Sequence, residues 1–195
     1  MDAFLAILLA YLVGSVPFAF LLARRAGIDV RFAGSGNVGA ANVMRTTGAR
    51  RAVIVMALDV AKGCLAVLLA MVTNAGVTLT ALAAAAAVVG HIYPVWLRFH
   101  GGKGVAVAAG VFAVLTPLAT GLAALLFLII VSLTRYVSLG SIAATLALPP
   151  AAWITGEPVA VVFAAAGTGA LILFRHRGNI RRLRAGTERR MGART

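Results

Sequence analysis

Long apolar stretches recur along this chain, and they limit what it can fold into more than any other feature. A helix crossing a membrane needs roughly 20 apolar residues at a rise of about 1.5 Å each. Runs near that measure occupy about 3–23, 52–73, 77–97, 104–116, 118–134, 138–155 and 158–174. The fourth is the weakest, since Thr116-Pro117 ends it after about 13 residues. Reading 104–134 as one kinked helix instead would leave six spans. Only 12% of the residues are charged and 62% are hydrophobic, too apolar a balance for a soluble domain. The expectation is an all-α integral membrane protein: one compact bundle of seven transmembrane helices, a single domain over 1–195, with short loops carrying the chemistry. Small-residue runs such as Ala83–Ala87 and Ala164-Ala165-Ala166-Gly167 fit close helix packing.

The basic residues support seven spans over six. Apart from Lys62 they fall in the first connection (Arg24, Arg25, Arg31, Arg45, Arg50, Arg51), the third (Arg98, Lys103), the fifth (Arg135) and the tail from Arg175 to Arg194. The connections Thr73–Thr78, Thr116–Ala119 and Thr155–Pro158 hold no lysine or arginine. By the positive-inside rule the amino terminus is then outside and the carboxyl terminus cytoplasmic. No basic segment precedes the first run after Met1-Asp2, so that run reads as a retained helix and not as a cleavable signal.

A formal charge of +13 would suggest nucleic acid in a soluble protein. Here the aromatic platforms and solvated basic stripe of that class are missing, and nucleic acid is not an expected partner. The one cysteine, Cys64, lies in an apolar run and reads as a small hydrophobe. His100 has no second metal-ligating residue at useful spacing and reads as surface.

Two glycine-rich stretches stand out. Phe99-His100-Gly101-Gly102-Lys103-Gly104 puts a lysine among three glycines at the mouth of a span. Such a loop can turn backbone N–H groups inward around an anion, and the lysine adds a point charge. Lys103, with the N–H groups of Gly101, Gly102 and Gly104, is therefore a candidate phosphate cradle. A flexible turn with a snorkelling lysine is the plainer alternative.

The first connection reads Gly34-Ser35-Gly36-Asn37-Val38-Gly39-Ala40-Ala41-Asn42-Val43-Met44-Arg45. Its G-x-G-x-x-G spacing is not a dinucleotide fingerprint, because no strand precedes it and Asp59 lies in an apolar helix. The loop can nonetheless offer donors from Gly34, Gly36, Ser35 and Asn37 to an oxyanion, with Asn42 and Arg45 on one face of a short helix.

Other polar residues have simpler readings. Asp59 and Lys62, spaced i, i+3 inside a span, are expected to pair with each other or with loop groups, since a lone charge there costs about 2.5–3.5 kcal/mol. His91 reads as a hydrogen-bonded packing residue roughly 15 Å deeper than the glycine loop. Ser138 and Ser141 are either helix caps or donors to a phosphate. His176 and Asn179 are helical neighbours at the last interface; lipid binding by a basic tail explains the arginines around them but not these two.

Taken together, Gly14-Ser15-Val16-Pro17-Phe18, Gly34–Arg45, Gly90–Gly104, Arg135–Ser141, and Arg175–Leu183 with Gly186-Thr187-Glu188 resemble the bacterial acyl-phosphate:glycerol-3-phosphate acyltransferases (the PlsY family). The order and spacing of these stretches carry the resemblance over nearly the whole chain. Ala41 stands where the family usually has threonine and Gly178 where glutamate is common, so neither side chain has a role here.

The resemblance implies a seven-helix enzyme of the bacterial inner membrane. It would move a fatty acyl group from acyl phosphate to sn-glycerol-3-phosphate on the cytoplasmic side, giving lysophosphatidic acid in the first acylation of phospholipid biosynthesis. Neither a cofactor nor a metal is implied. Partners would be the two substrates, membrane lipid and the soluble enzyme that forms acyl phosphate. Ser35, Arg45, Lys103, His176 and Asn179 are the expected catalytic set. His176 and Asn179 would orient glycerol-3-phosphate, and Ser141 would help with a phosphate. Proton transfer to His176 or to the departing phosphate stays open, with the phosphate preferred. A transporter for a phosphorylated solute is the competing class, disfavoured because the basic groups gather at one face and no repeat is visible. The expectation to test is that Arg45, Lys103 and His176 serve one pocket.

Overall fold

The computed structural model describes residues 3–73 and 76–192. The first residues 1–2, the tip of the Thr73–Thr78 connection at 74–75, and 193–195 with Arg194 lie outside the described residues. Every regular element among the described residues is helical, and the chain forms two compact units, Met1–Leu115 and Thr116–Thr195.

The first unit contains α1 (Ala3–Ser15), α2 (Phe18–Arg24), α3 (Ala40–Thr47), α4 (Ala49–Val72), α5 (Gly76–Ile92), a 3-10 turn (Val95–Leu97) and α6 (Val105–Leu115). The run expected over 3–23 is two helices, because Pro17 has no N–H to continue the ladder and its ring crowds the preceding turn. The break exposes the Val16 carbonyl, and Lys62 of α4 donates to it across 2.7 Å. Pro94 likewise separates α5 from the 3-10 turn. That turn is fastened to α1: Tyr11 Oη donates to the Tyr93 carbonyl at 2.8 Å and Trp96 Nε1 to Ser15 Oγ at 2.8 Å.

α4 packs against α1, α3, α5 and α6, and small residues set how closely. A Cβ on Gly63 would meet the Val107 carbonyl oxygen, and one on Gly110 the Val60 carbonyl oxygen. The α1 and α5 pair repeats the device: Gly14 abuts Ala87 and Gly90 abuts Tyr11. Ala83, Ala84 and Ala87 are fully buried, as the packing reading of that run requires.

The second unit contains α7 (Pro117–Thr134), α8 (Val137–Ile154), α9 (Val159–Arg175) and α10 (Arg177–Arg184). α7 packs on α8 and α8 on α9, while α10 leaves α9 at 58°. The segment 104–134 is thus two helices separated at Thr116.

Among the described residues, 5 helices are long and apolar enough to cross a membrane, counting α1 with α2 and α5 with its turn; bent α9–α10 would make 6. α6 has only 11 residues, about 16 Å, well short of a hydrocarbon core. The exposed Phe4, Leu128, Trp153 and Phe163 give these helices apolar outer surfaces suited to lipid. This is an all-helical integral membrane protein.

Candidate functional site

The first polar loop is built around Asn42. Its side chain is 1% exposed; Oδ1 accepts the Ser35 N–H at 2.8 Å and Nδ2 donates to the carbonyls of Val30 and Ala33, both at 3.0 Å. Gly34 and Gly36 adopt φ of 64° and 71°, a conformation that side chains disfavour, and a Cβ on Gly34 would collide with Asn42 Oδ1. Asn42 therefore clamps the loop and does not share a substrate-facing surface with Arg45, which is exposed. Three amides of the expected nest are also taken: Ser35 N–H by Asn42, Gly36 N–H by the Ala33 carbonyl and Gly39 N–H by the Asn37 carbonyl. The exposed side chain of Ser35, the half-buried Asn37 and the cationic Arg45 are the chemistry this loop presents. Arg31, by contrast, is committed to its own turn, bonding Asp29 through Nε at 2.9 Å and Nη2 at 2.7 Å. That bond holds the Asp29 carboxyl at about 2.

The second loop turns back on α5. Gly101 N–H donates to the Ile92 carbonyl at 3.0 Å and Gly102 N–H to the His91 carbonyl at 3.1 Å. The cradle expected from these two amides is thus corrected: both are spent on the last carbonyls of α5, which a helix end must satisfy somewhere. Arg98 and Phe99 enter the loop at φ of 50° and 63°, a left-handed pair costing about 1–2 kcal/mol per residue. Phe99 N–H bonding to the Pro94 carbonyl at 2.9 Å helps hold it. Gly104, at φ 92°, precedes α6, leaving Lys103 half-buried at the helix entrance.

This fold-back also corrects the depth expected for His91. The ring lies directly under the loop, where a Cβ on Gly102 would strike His91 Nε2 and approach the Val38 carbonyl oxygen to 2.7 Å. The two polar loops therefore meet at Gly102 and Val38. Beneath them Lys62 Nζ is 2.8 Å from Asp59 Oδ1 and 3.1 Å from His91 Nδ1. Asp59 pairs with Lys62 as its spacing implied, and a histidine joins the pair.

In the second unit the polar residues gather on Glu188. Its Oε1 accepts from Ser138 Oγ at 2.8 Å and Asn179 Nδ2 at 2.6 Å, and its Oε2 from Arg182 Nε at 2.7 Å. Burial pushes this carboxyl up, but the hydrogen bonds of Asn179, Ser138 and Arg182 outweigh it and hold the group below its ordinary 4.5. Sequence reasoning assigned Glu188 no role. The available signal was its isolation, the one carboxylate in an arginine-rich tail. Neither serine caps α8: Tyr136 holds that position, Ser138 serves Glu188, and Ser141 Oγ donates to the Val137 carbonyl at 2.9 Å. His176 is 2% exposed, and its Nδ1 lies 2.8 Å from the Ile172 carbonyl. A carbonyl only accepts, so this contact requires a proton on Nδ1.

Comparison with known proteins follows the same outline. A family model described as Glycerol-3-phosphate acyltransferase matches residues 4–186. A glycerol-3-phosphate acyltransferase of Rubrobacter xylanophilus is 45% identical over 192 residues, covering 98% of this chain and 96% of that one. Glycerol-3-phosphate acyltransferase 1 of Deinococcus radiodurans is 45% identical over 98% of this chain and 97% of its own length. A crystal structure of PlsY (YgiH), an integral membrane glycerol 3-phosphate acyltransferase in its glycerol 3-phosphate form, superposes with a TM-score of 0.93 at 43% identity. It covers 97% of this chain and 96% of that one. The lysophosphatidic acid form gives 0.91 at the same identity, over 97% of this chain and 95% of the other.

Proposed function

Because the chain belongs to the glycerol-3-phosphate acyltransferase family and is an integral membrane enzyme of that activity, we propose that its acyl donor is an acyl phosphate. The products are 1-acyl-sn-glycerol-3-phosphate, which is lysophosphatidic acid, and inorganic phosphate. The observation that carries this reading is the Lys103 loop seated against the Arg45 loop at Gly102 and Val38. Two cationic loops in contact suit a reaction whose donor and acceptor are both phosphorylated. The solved relative's glycerol 3-phosphate and lysophosphatidic acid forms support the acceptor and the product.

The primary hydroxyl oxygen of glycerol-3-phosphate forms the new bond to the acyl carbonyl carbon, and the bond from that carbon to the phosphate oxygen breaks. Phosphate is a good leaving group, so charge neutralisation and positioning count for more than a strong base. Lys103 and Arg45 neutralise phosphate charge, with Ser35 and Asn37 beside Arg45. His176 and Asn179 orient glycerol-3-phosphate, and Ser141 assists with a phosphate. The hydroxyl proton goes to the departing phosphate, whose second pKa is about 6. Gly34, Gly36, Asn42, Gly101, Gly102 and Gly104 shape the loops, and Ser138 acts through Glu188.

For the membrane we propose seven crossings, α6 being the short one. The amino terminus is then outside and the tail and both polar loops on the cytoplasmic face of the bacterial inner membrane, as the placement of Lys and Arg supports. Single cysteines at Glu157 and Arg189 in a Cys64→Ser background test this: a membrane-impermeant maleimide should label the first and not the second in intact cells.

The donor is tested by incubating purified protein with labelled glycerol-3-phosphate and either acyl phosphate or acyl-CoA. Labelled lysophosphatidic acid with stoichiometric phosphate release from the first, and none from the second, is the expected result. Product formed from acyl-CoA alone would overturn the donor assignment.

A further inference from the structure

The Asp59, Lys62 and His91 cluster takes no part in the reaction described above, yet it lies under both cationic loops. An ammonium has three protons and no acceptor, and Lys62 Nζ faces three polar atoms: Asp59 Oδ1 at 2.8 Å, the Val16 carbonyl at 2.7 Å and His91 Nδ1 at 3.1 Å. As the ammonium partner of the Asp59 ion pair, Lys62 has only protons to offer, which makes Nδ1 of His91 the acceptor. The ring proton then resides on Nε2, the nitrogen that faces Gly102 and lies on the same side of that residue as the Val38 carbonyl oxygen.

Each contact of Lys62 belongs to a different segment: α4 through Asp59, the break between α1 and α2 through Val16, and α5 through His91. Lys62 is 5% exposed and Asp59 2%. Burying this pair in an apolar helix is expensive, more than simple closure of a bundle requires.

We propose that Lys62 is a positioning residue for the Phe99–Gly104 loop. By donating to Nδ1 of His91 it fixes the ring proton on Nε2, and Nε2–H, directed at the Val38 carbonyl, holds Gly102 and the second loop against the first. This rests on the reading that the two loops hold the phosphates of the substrates.

Two measurements test it. In detergent-solubilised protein labelled with 15N-histidine, assigned by comparison with His91→Gln and His100→Asn, His91 should show a protonated Nε2 and a bare Nδ1. A proton on Nδ1, or on both nitrogens, overturns the proposal. The second compares Lys62→Met with the double variant Asp59→Asn/Lys62→Met, which removes both buried charges. Were Lys62 present only to balance Asp59, the double variant would return to within twofold of wild-type kcat/KM, and that result also overturns it. The expected result is a folded double variant at least tenfold below wild type in kcat/KM for glycerol-3-phosphate, with the His91 ring no longer confined to one tautomer. Should wild-type protein form no lysophosphatidic acid from acyl phosphate, the donor assignment fails separately, because the nitrogen spectrum judges the Lys62 and His91 contact without any turnover.

Discussion

Asn179 donates through Nδ2 to Oε1 of Glu188 at 2.6 Å, and with Ser138 and Arg182 on the same carboxylate the bond determines which way the amide faces. Glu188→Gln should disrupt this arrangement, because the new NH2 group would oppose Arg182 Nε, donor against donor. Losing hydrogen bonds to a charged acceptor costs about 1–3 kcal/mol. Thermal unfolding in detergent should show a lowered midpoint, accompanied by a fall in kcat/KM for glycerol-3-phosphate; an unchanged midpoint would remove Glu188 from its organising role.

The same carboxylate sets a pH dependence. Its folded-state pKa lies below the ordinary 4.5, so the folded state favours the ionised form. The stabilisation is complete above the unfolded-chain value and is lost as pH falls through the folded value. Wild type and Glu188→Gln should differ most in stability near neutrality and converge at strongly acid pH. A difference that widens on acidification reverses the sign and the argument with it.

Removing the loop cations should impair catalysis more than folding. Lys103→Ala and Arg45→Ala each delete a charge from the loop surface without opening a cavity. A loss of kcat/KM of about 10²–10³ fits removal of a positioned electrostatic group, with an unfolding midpoint close to that of wild type. Retained activity in either variant would take that residue out of the phosphate-binding set.

Gly102→Ala is expected to be far more disruptive than Gly167→Ala. A methyl at 102 meets His91 Nε2 and the Val38 carbonyl, whereas nothing lies within 4 Å of one at 167. Overpacking at 102 should cost about 1–3 kcal/mol and most of the activity. At 167, inside α9, alanine should be neutral or stabilising by up to about 1 kcal/mol. Assays of both variants side by side check the contrast.

His176→Gln separates orientation from base catalysis. An orienting residue should show a raised KM for glycerol-3-phosphate with kcat within about tenfold of wild type. An obligatory general base contributes about 10²–10⁴ to the rate. A kcat loss of that size at unchanged KM would make His176 the base and retire the leaving phosphate from that role.

Much of this was legible along the chain because it depends on local properties. Hydropathy marked the helices to within a few residues, as in 138–155 against Val137–Ile154. It missed the break at Pro17, where a continuous apolar run hid the missing N–H. Pairing of Asp59 with Lys62 followed from i, i+3 spacing and the expense of a lone charge in lipid. Residue types also marked both glycine loops, yet several of their amides, those of Gly101 and Gly102 among them, were misassigned. A glycine sequence shows where N–H groups can turn inward but not which carbonyl will reach them first.

The amino-acid order alone determined the apolar helices, the two cationic glycine loops and the family, because hydrophobic length, the absence of a Cβ and motif spacing are written locally. Tertiary structure decided which polar groups are spent on the scaffold: Asn42 on its loop, the Gly101 and Gly102 amides on α5, and Glu188 on Ser138 and Asn179. Partners such as Lys62 with Val16, 46 positions apart, or Ser138 with Glu188, 50 apart, meet only when packing folds distant segments together. A buried donor must take whatever acceptor that packing delivers.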